Sequence, residues 1–169
     1  MAEPTFEELL HGSRRRAVHL EMRDGYSRND PVFIDWAAGQ PVDPAERYRP
    51  WPEMVRENTG RGVEMLRARI VSEPISEYIR FEGEVTKDLN IAAGEDVRWL
   101  PRRRATDLTL PGNDFWLFDD GPALINHFDG EGDSTEHEII DDPSIVSLLA
   151  SAFDAVWERA VPHAEYWPA

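Results

Sequence analysis

The apolar run Phe115-Trp116-Leu117-Phe118 leads without a break into Asp119-Asp120-Gly121 and then into a second apolar run, Ala123 to Phe128. So short a continuous apolar stretch fits a strand covered on both faces. Aspartate and glycine tolerate the positive φ of a tight hairpin turn. A chain built around this unit needs layers on both sides of a sheet, and the flanking sequence supplies them. Val97 to Leu100 predicts a short strand ahead of it. From Ile145 to Ala160, apolar residues recur at helical spacing behind Asp142, a good N-cap, and Pro143, a good first residue. That helix must pack on the sheet.

Upstream, Ala17 to Arg23 alternates, with Val18, Leu20 and Met22 on one face and His19, Glu21 and Arg23 on the other. This is the pattern of a half-buried strand. Glu64 to Val71 repeats it, setting Leu66, Ala68 and Ile70 opposite Arg67 and Arg69. Short helices are expected at Phe6–Leu10, stopped at Gly12, and at Trp51–Asn58, closed by Gly60 or Gly62. Residues 24–50 are rich in proline and glycine and predict irregular structure with one short helix near Val32–Ala38. A helix opening at Pro74 carries Ile75, Tyr78, Ile79, Glu82, Val85 and Leu89 on one stripe and ends at Gly94. The expectation is one α/β domain over residues 1–169. Residues 1–62 form an N-terminal helix, strand and irregular segment, and 63–169 form a core with a mixed sheet of about five strands.

Charge narrows the functional classes. The chain of 169 residues carries 33 acids against 18 bases, a net charge of −15. Such a surface repels nucleic acid and anionic membrane and favours a basic protein partner. Without cysteine, disulfides, thiolate catalysis and cysteine-ligated zinc are excluded. The acidic N-terminus and the lack of a long apolar run predict a cytoplasmic protein. The only lysine is Lys87, so a mechanism needing a lysine elsewhere is ruled out.

Several residues are candidates for recognition. Glu82 sits on an otherwise apolar helical stripe, where an unpaired charge is costly. Its partner is expected to be Arg69, Arg98 or Arg80, and it either ties helix to sheet or binds a ligand. Trp99 and Trp116 either stack on a ligand ring or fill the core. Arg102, Arg103 and Arg104 follow a strand end, where open α/β sheets commonly bind ligands. They could grip a phosphate or carboxylate, neutralise local acids, or hold an acidic stretch of a partner. Ser72, at a strand-to-helix junction, is expected to cap the helix after it. The acid-rich stretch from Asp129 to Asp142 reads as a solvated loop, because Ser134 and Ile140 stand where a calcium loop needs glycine and glutamate. No metal or cofactor is expected.

The segment from Leu66 to Phe128 resembles one half of a phospholipase-D-type domain. Placing Asp119 at that family's aspartate puts Asp114 at its lysine and Gly112 at its histidine nucleophile, with Asn126 near its asparagine. The resemblance therefore implies the fold without the chemistry. Over nearly the whole chain, the motifs RARIVSEP (Arg67–Pro74), YIRFE (Tyr78–Glu82), AGEDVRWLPR (Ala93–Arg102), LPGNDFWLFDD (Leu110–Asp120) and VWERAVPHAEY (Val156–Tyr166) resemble an uncharacterised family of small actinobacterial, Streptomyces-type proteins. The resemblance implies accessory proteins encoded beside helix-turn-helix regulators, in sets similar to toxin–antitoxin modules. The leading expectation is a non-enzymatic regulatory protein that binds a helix-turn-helix partner. The alternatives are an enzyme or toxin acting on a phosphorylated or nucleotide substrate, and a small-ligand sensor. The residues expected to recognise a ligand or partner are Arg69, Glu82, Arg98, Trp99, Arg102, Arg103, Arg104 and Asp119.

Overall fold

A computed structural model of the chain describes residues 2–167. Seven strands form one sheet in the order β6-β5-β4-β1-β2-β3-β7. The strands β1 (Arg16–Glu21), β2 (Glu64–Val71) and β3 (Asp96–Pro101) run parallel to one another, while β4 (Asp114–Phe118) lies antiparallel to β1. The hairpin expected at residues 115–128 is present, with β5 (Ala123–Phe128) antiparallel to β4.

The expected five strands are an undercount. The stretch read as an acidic loop contains β6 (Ser134–Ile140), paired antiparallel with β5, and the two-residue β7 (Val161–Pro162) pairs with β3. Residues Ser134 to Glu138 are exposed, so β6 lacks the apolar alternation that marks a strand in sequence. Its order comes from backbone bonding to β5. Charge on such an edge also discourages further pairing.

One face of the sheet is covered by α6 (Pro143–Arg159), capped by the Asp142 side chain accepting from the Ser144 N–H at 2.8 Å. Its Val146, Leu149, Phe153 and Val156 meet Val18 and Leu20 of β1, Ala68 and Ile70 of β2, and Phe115 and Leu117 of β4. This is the core that the alternation predicts. The opposite face departs from the half-buried reading of β1. His19 and Glu21 are only 8% and 6% exposed. They are covered by α5 (Glu77–Leu89) and by a lid of short helices, α2 (Pro31–Ala37), α3 (Pro44–Arg47) and α4 (Trp51–Gly60). The charges on this face satisfy one another, which is why it can be buried.

The start of α5 is displaced from the expected Pro74. Ser76 is its cap, accepting from the Ile79 N–H at 3.1 Å. Ser72, the expected cap, instead donates to Asp24 Oδ2 at 2.6 Å. The helix stops at Leu89, and a single 3₁₀ turn over Ile91–Ala93 carries the chain to Gly94 at φ +117°. The irregular segment 24–50 holds one more helix than expected, α3, whose cap Asp43 accepts from the Glu46 N–H at 3.2 Å. No helix among the described residues is long and apolar enough to cross a membrane.

Asp119, at φ +50°, closes the β4–β5 turn and accepts from the backbone N–H groups of Arg14, Arg15 and Arg16 at 2.8, 2.8 and 3.0 Å. These donors outweigh the effect of burial and hold its carboxyl below the usual aspartate range. Asp119 therefore fixes the entry of β1 into the centre of the sheet. Asp119→Ala should lower stability by roughly 1–3 kcal/mol in urea unfolding, with Asp119→Asn recovering part of the loss. A change within error for the alanine variant would refute this role.

Candidate functional site

Register assembles the site. On the α5 side of the sheet, Trp116 of β4, His19 of β1 and Arg67 of β2 are consecutive cross-strand partners. Glu21 of β1, Arg69 of β2 and Trp99 of β3 form the next row. The His19 and Trp116 rings stack at 4.2 Å between centroids and 9° between planes. The Arg67 guanidinium lies 5.4 Å from the Trp116 ring and 5.6 Å from the Trp51 ring, and that of Arg69 lies 4.8 Å over Trp99. Buried guanidinium groups gain from such faces where water is scarce.

The carboxylates around the two arginines come from β1, from α5 and from the turn before β3. Arg67 donates to Glu21 and, through Nε at 2.9 Å, to Glu95 Oε1. Arg69 donates to Thr86 Oγ1 at 2.6 Å, and its Nε stands 3.5 Å from Glu21 Oε1 and 3.6 Å from Glu82 Oε2. Asp114 receives the Tyr26 hydroxyl and the Met22 N–H, the latter at 2.9 Å. Asn90 donates to Glu95 Oε2 at 2.5 Å.

Burial makes the protonation states unequal. Desolvation alone would raise the Glu21 carboxyl, but Arg69 and Arg67 together bring it down to about 2. Glu82 is also raised by burial, pairs with Arg69 alone, and faces the Glu21 charge, so it is pushed up to about 8. The pair therefore favours a proton on Glu82 over one on Glu21. Burial lowers His19 to about 3. Its 3.6 Å approach to Glu21 is therefore not an ion pair. Burial also raises Asp114 to about 6, against the pull of its Tyr26 bond.

Above this floor lies a cavity of about 390 Å³. His19, Arg67, Arg69, Glu82 and Asn90 line its polar part, and Tyr48, Trp51, Tyr78, Phe81 and Trp116 form much of its walls. Asp30 also lines it, as the cap of α2 that receives the Tyr48 hydroxyl. Both the volume and the mixture of aromatic wall and few convergent polar groups are those of a small-molecule site. Among the described residues, no histidine and carboxylate groups converge in a metal-holding cluster.

The structure brings together some of the residues singled out in sequence and separates others. Arg69 and Glu82 meet at the cavity floor, and Trp99 supports Arg69 while donating through Nε1 to His163 Nδ1 at 3.0 Å. Arg98 faces the other side of the sheet, 4.1 Å over the Trp157 ring. Arg102 is tied to Asp24, Ser72 and the Met22 and Ile70 carbonyls. Arg103 and Arg104 are exposed on the following turn, and Asp119 is the turn clamp described above. Replacing Arg103 and Arg104 together by alanine should leave stability within about 0.5 kcal/mol of the parent, as read by thermal unfolding; a larger loss would give them a structural task.

Sequence reasoning missed His19, Glu21, Arg67, Asn90 and Glu95. A signal was present: acid on one alternating strand and arginines on another, each on the face away from the core. Opposite charges at matched spacing on neighbouring strands can pair and be buried together.

The fold and this cavity define a mixed α/β domain with a buried charged centre beneath an aromatic-walled pocket. Residues 4–168 match the family model "Domain of unknown function (DUF6879)", and the chain belongs to that family. No curated protein matches it. Among solved structures it is similar to TrmBL2, described as an archaeal chromatin protein with a novel mode of DNA binding, at 13% identity and a TM-score of 0.48. That match covers 91% of this chain and 47% of the other, so the chain spans about half the length of TrmBL2.

Proposed function

We propose that this domain is a small-ligand sensor that reports the occupancy of its cavity to a protein partner. The observation carrying this reading is the aromatic-walled cavity over buried polar groups that lack hydrogen-bond partners, Glu82 Oε2 and Asn90 Oδ1 among them. Buried polar atoms are nearly always satisfied, and unpartnered ones lining a cavity are available to a ligand. A thermal-shift screen of polar metabolites tests it. A ligand at about 100 times its Kd stabilises a two-state domain by about 3 kcal/mol, which for a chain of this size raises Tm by roughly 6–12 °C. Leu89→Trp, which fills the cavity from α5, should abolish the shift. A screen without hits, or hits that survive Leu89→Trp, would overturn the reading.

The partner in this proposal is a basic helix-turn-helix regulator encoded nearby, as in the actinobacterial sets the sequence resembles. Support comes from β6, an exposed sheet edge bearing Glu136 and Glu138, where a basic surface would be attracted. The same reading takes the domain as half of a phospholipase-D-type fold, supported by the parallel β2–α5–β3 unit. Co-purification with the neighbouring regulator at low salt is the expected result, and no complex at micromolar concentration would remove this partner. The enzyme reading rests on Glu82 and His19, whose shifted titrations in a cavity are of the kind catalytic groups show. It predicts turnover of nucleotide or phosphodiester substrates that Glu82→Gln abolishes.

A further inference from the structure

We propose that the cavity binds a primary ammonium ion carried on an aromatic or aliphatic body, its charge beside Glu82 and its body against the aromatic wall. This deepens the sensor reading and rests on it.

The first argument is an imbalance of acceptors. Asn90 uses its amide N–H on Glu95, which fixes its orientation and leaves Oδ1 without a partner. His19 Nδ1 lies 2.8 Å from the Phe115 carbonyl, which can only accept, so Nδ1 carries the hydrogen. The neutral ring then leaves a lone pair on Nε2, and Glu21 Oε1, 3.6 Å away, is itself an acceptor. Glu82 joins them as an acceptor once its proton is lost. All three residues line the same cavity. The unmet donor there is Arg69 Nε, which faces carboxylates already. The cavity has acceptors to spare, and an ammonium group brings donors.

The second argument is charge. With Glu82 protonated, the carboxylates of Asp30, Glu21, Glu95 and Asp114 at and behind the cavity still outnumber the guanidinium groups of Arg67, Arg69 and Arg23 near them. Both floor arginines are occupied, Arg67 by Glu21 and Glu95, and Arg69 by Thr86 and the Glu21–Glu82 pair. An anion would find no free cation there. The rings of Tyr48, Tyr78 and Phe81 in the wall favour a cation, and the net charge of −15 attracts one from a distance.

Binding is coupled to a proton. The groups facing Glu82 are Arg67 and Arg69 of β2, His19 and Glu21 of β1, Asp114 of β4, Thr86 and Tyr78 of α5, and Tyr26, Asp30 and Tyr48 of the lid. In the empty protein their sum, with burial, keeps Glu82 protonated at neutral pH. An ammonium beside it favours the carboxylate, so the Glu82 proton leaves to solvent as the ligand enters.

Isothermal titration calorimetry at pH 7 on the full chain tests this with two matched sets: tryptamine, tryptophol and indole-3-acetate, and benzylamine, benzyl alcohol and benzoate. The amines should bind at least tenfold tighter than the alcohols. Buffers of different ionisation heat should show proton release on amine binding alone. Glu82→Gln, which copies the protonated side chain and should fold, should bring the amine down to the alcohol's affinity and leave the alcohol unchanged. If the carboxylates bind best, or charge makes no difference, the ammonium assignment falls and the sensor reading stands. If nothing in either set binds at millimolar concentration, both fall.

Discussion

Arg67→Leu should destabilise the protein by roughly 3–5 kcal/mol, the cost of leaving buried carboxylates without their cation. Arg67 bonds Glu21 and Glu95, whose side chains are 7% and 1% exposed, so neither can recover its hydration. The pH dependence gives the loss a signature. Glu21 titrates near 2 in the folded protein, below its ordinary value near 4.5. The stability this contributes is present above the unfolded value and is lost as pH falls through the folded one. The deficit of Arg67→Leu against the parent should therefore be full at pH 7 and shrink as pH drops below 4.5. Urea unfolding at pH 7 and at pH 3.5 measures it. A loss below about 1 kcal/mol at pH 7 would mean that the ion pairs are solvated.

Glu82→Gln should act in the opposite sense. The folded value of about 8 lies above the ordinary 4.5. A carboxyl raised in this way contributes stability that is intact at low pH and lost as pH rises through the folded value. The parent should therefore weaken between pH 5 and pH 9, while glutamine keeps the shape of the neutral acid and does not titrate. The two proteins should be equally stable near pH 5, and the variant should lead by roughly 3 kcal/mol at pH 9. His19, lowered to about 3, stays neutral over this range, and Asp114 titrates in both proteins, so the difference between the two urea midpoints reports chiefly on Glu82. Parallel curves from pH 5 to 9 would show that Glu82 is ionised throughout.

These two residues also show how far the sequence reaches. Glu82 stands out in sequence because it interrupts an apolar helical stripe, and the expected arginine partner Arg69 is the one found, at 3.6 Å. Arg67 shares its strand and face, yet nothing local distinguishes it from a solvated arginine. In sequence β6 looks like a loop for a related reason: the exposed polar residues Ser134 to Glu138 hide a strand whose order comes from its neighbour. Asp119 drew attention as a site residue, but its partners Arg14 to Arg16 lie over a hundred residues away in sequence. No spacing rule links them.

By itself the sequence determined the local and periodic features: the apolar tetrad and its acidic turn, the alternating faces of β1 and β2, the capped amphipathic α6, and hence a layered α/β domain. Periodicity reports which side chains must leave water, and that information lies within a few residues. Only the tertiary structure decided that the second face of the sheet is closed as well. There, the parallel register of β1, β2 and β3 sets Glu21 beside Arg69 and His19 beside Arg67. Whether a charged face is solvated or buried depends on which opposite charges meet it from other strands and helices. That is a matter of register and packing, and it turned an apolar hairpin into one wall of a pocket.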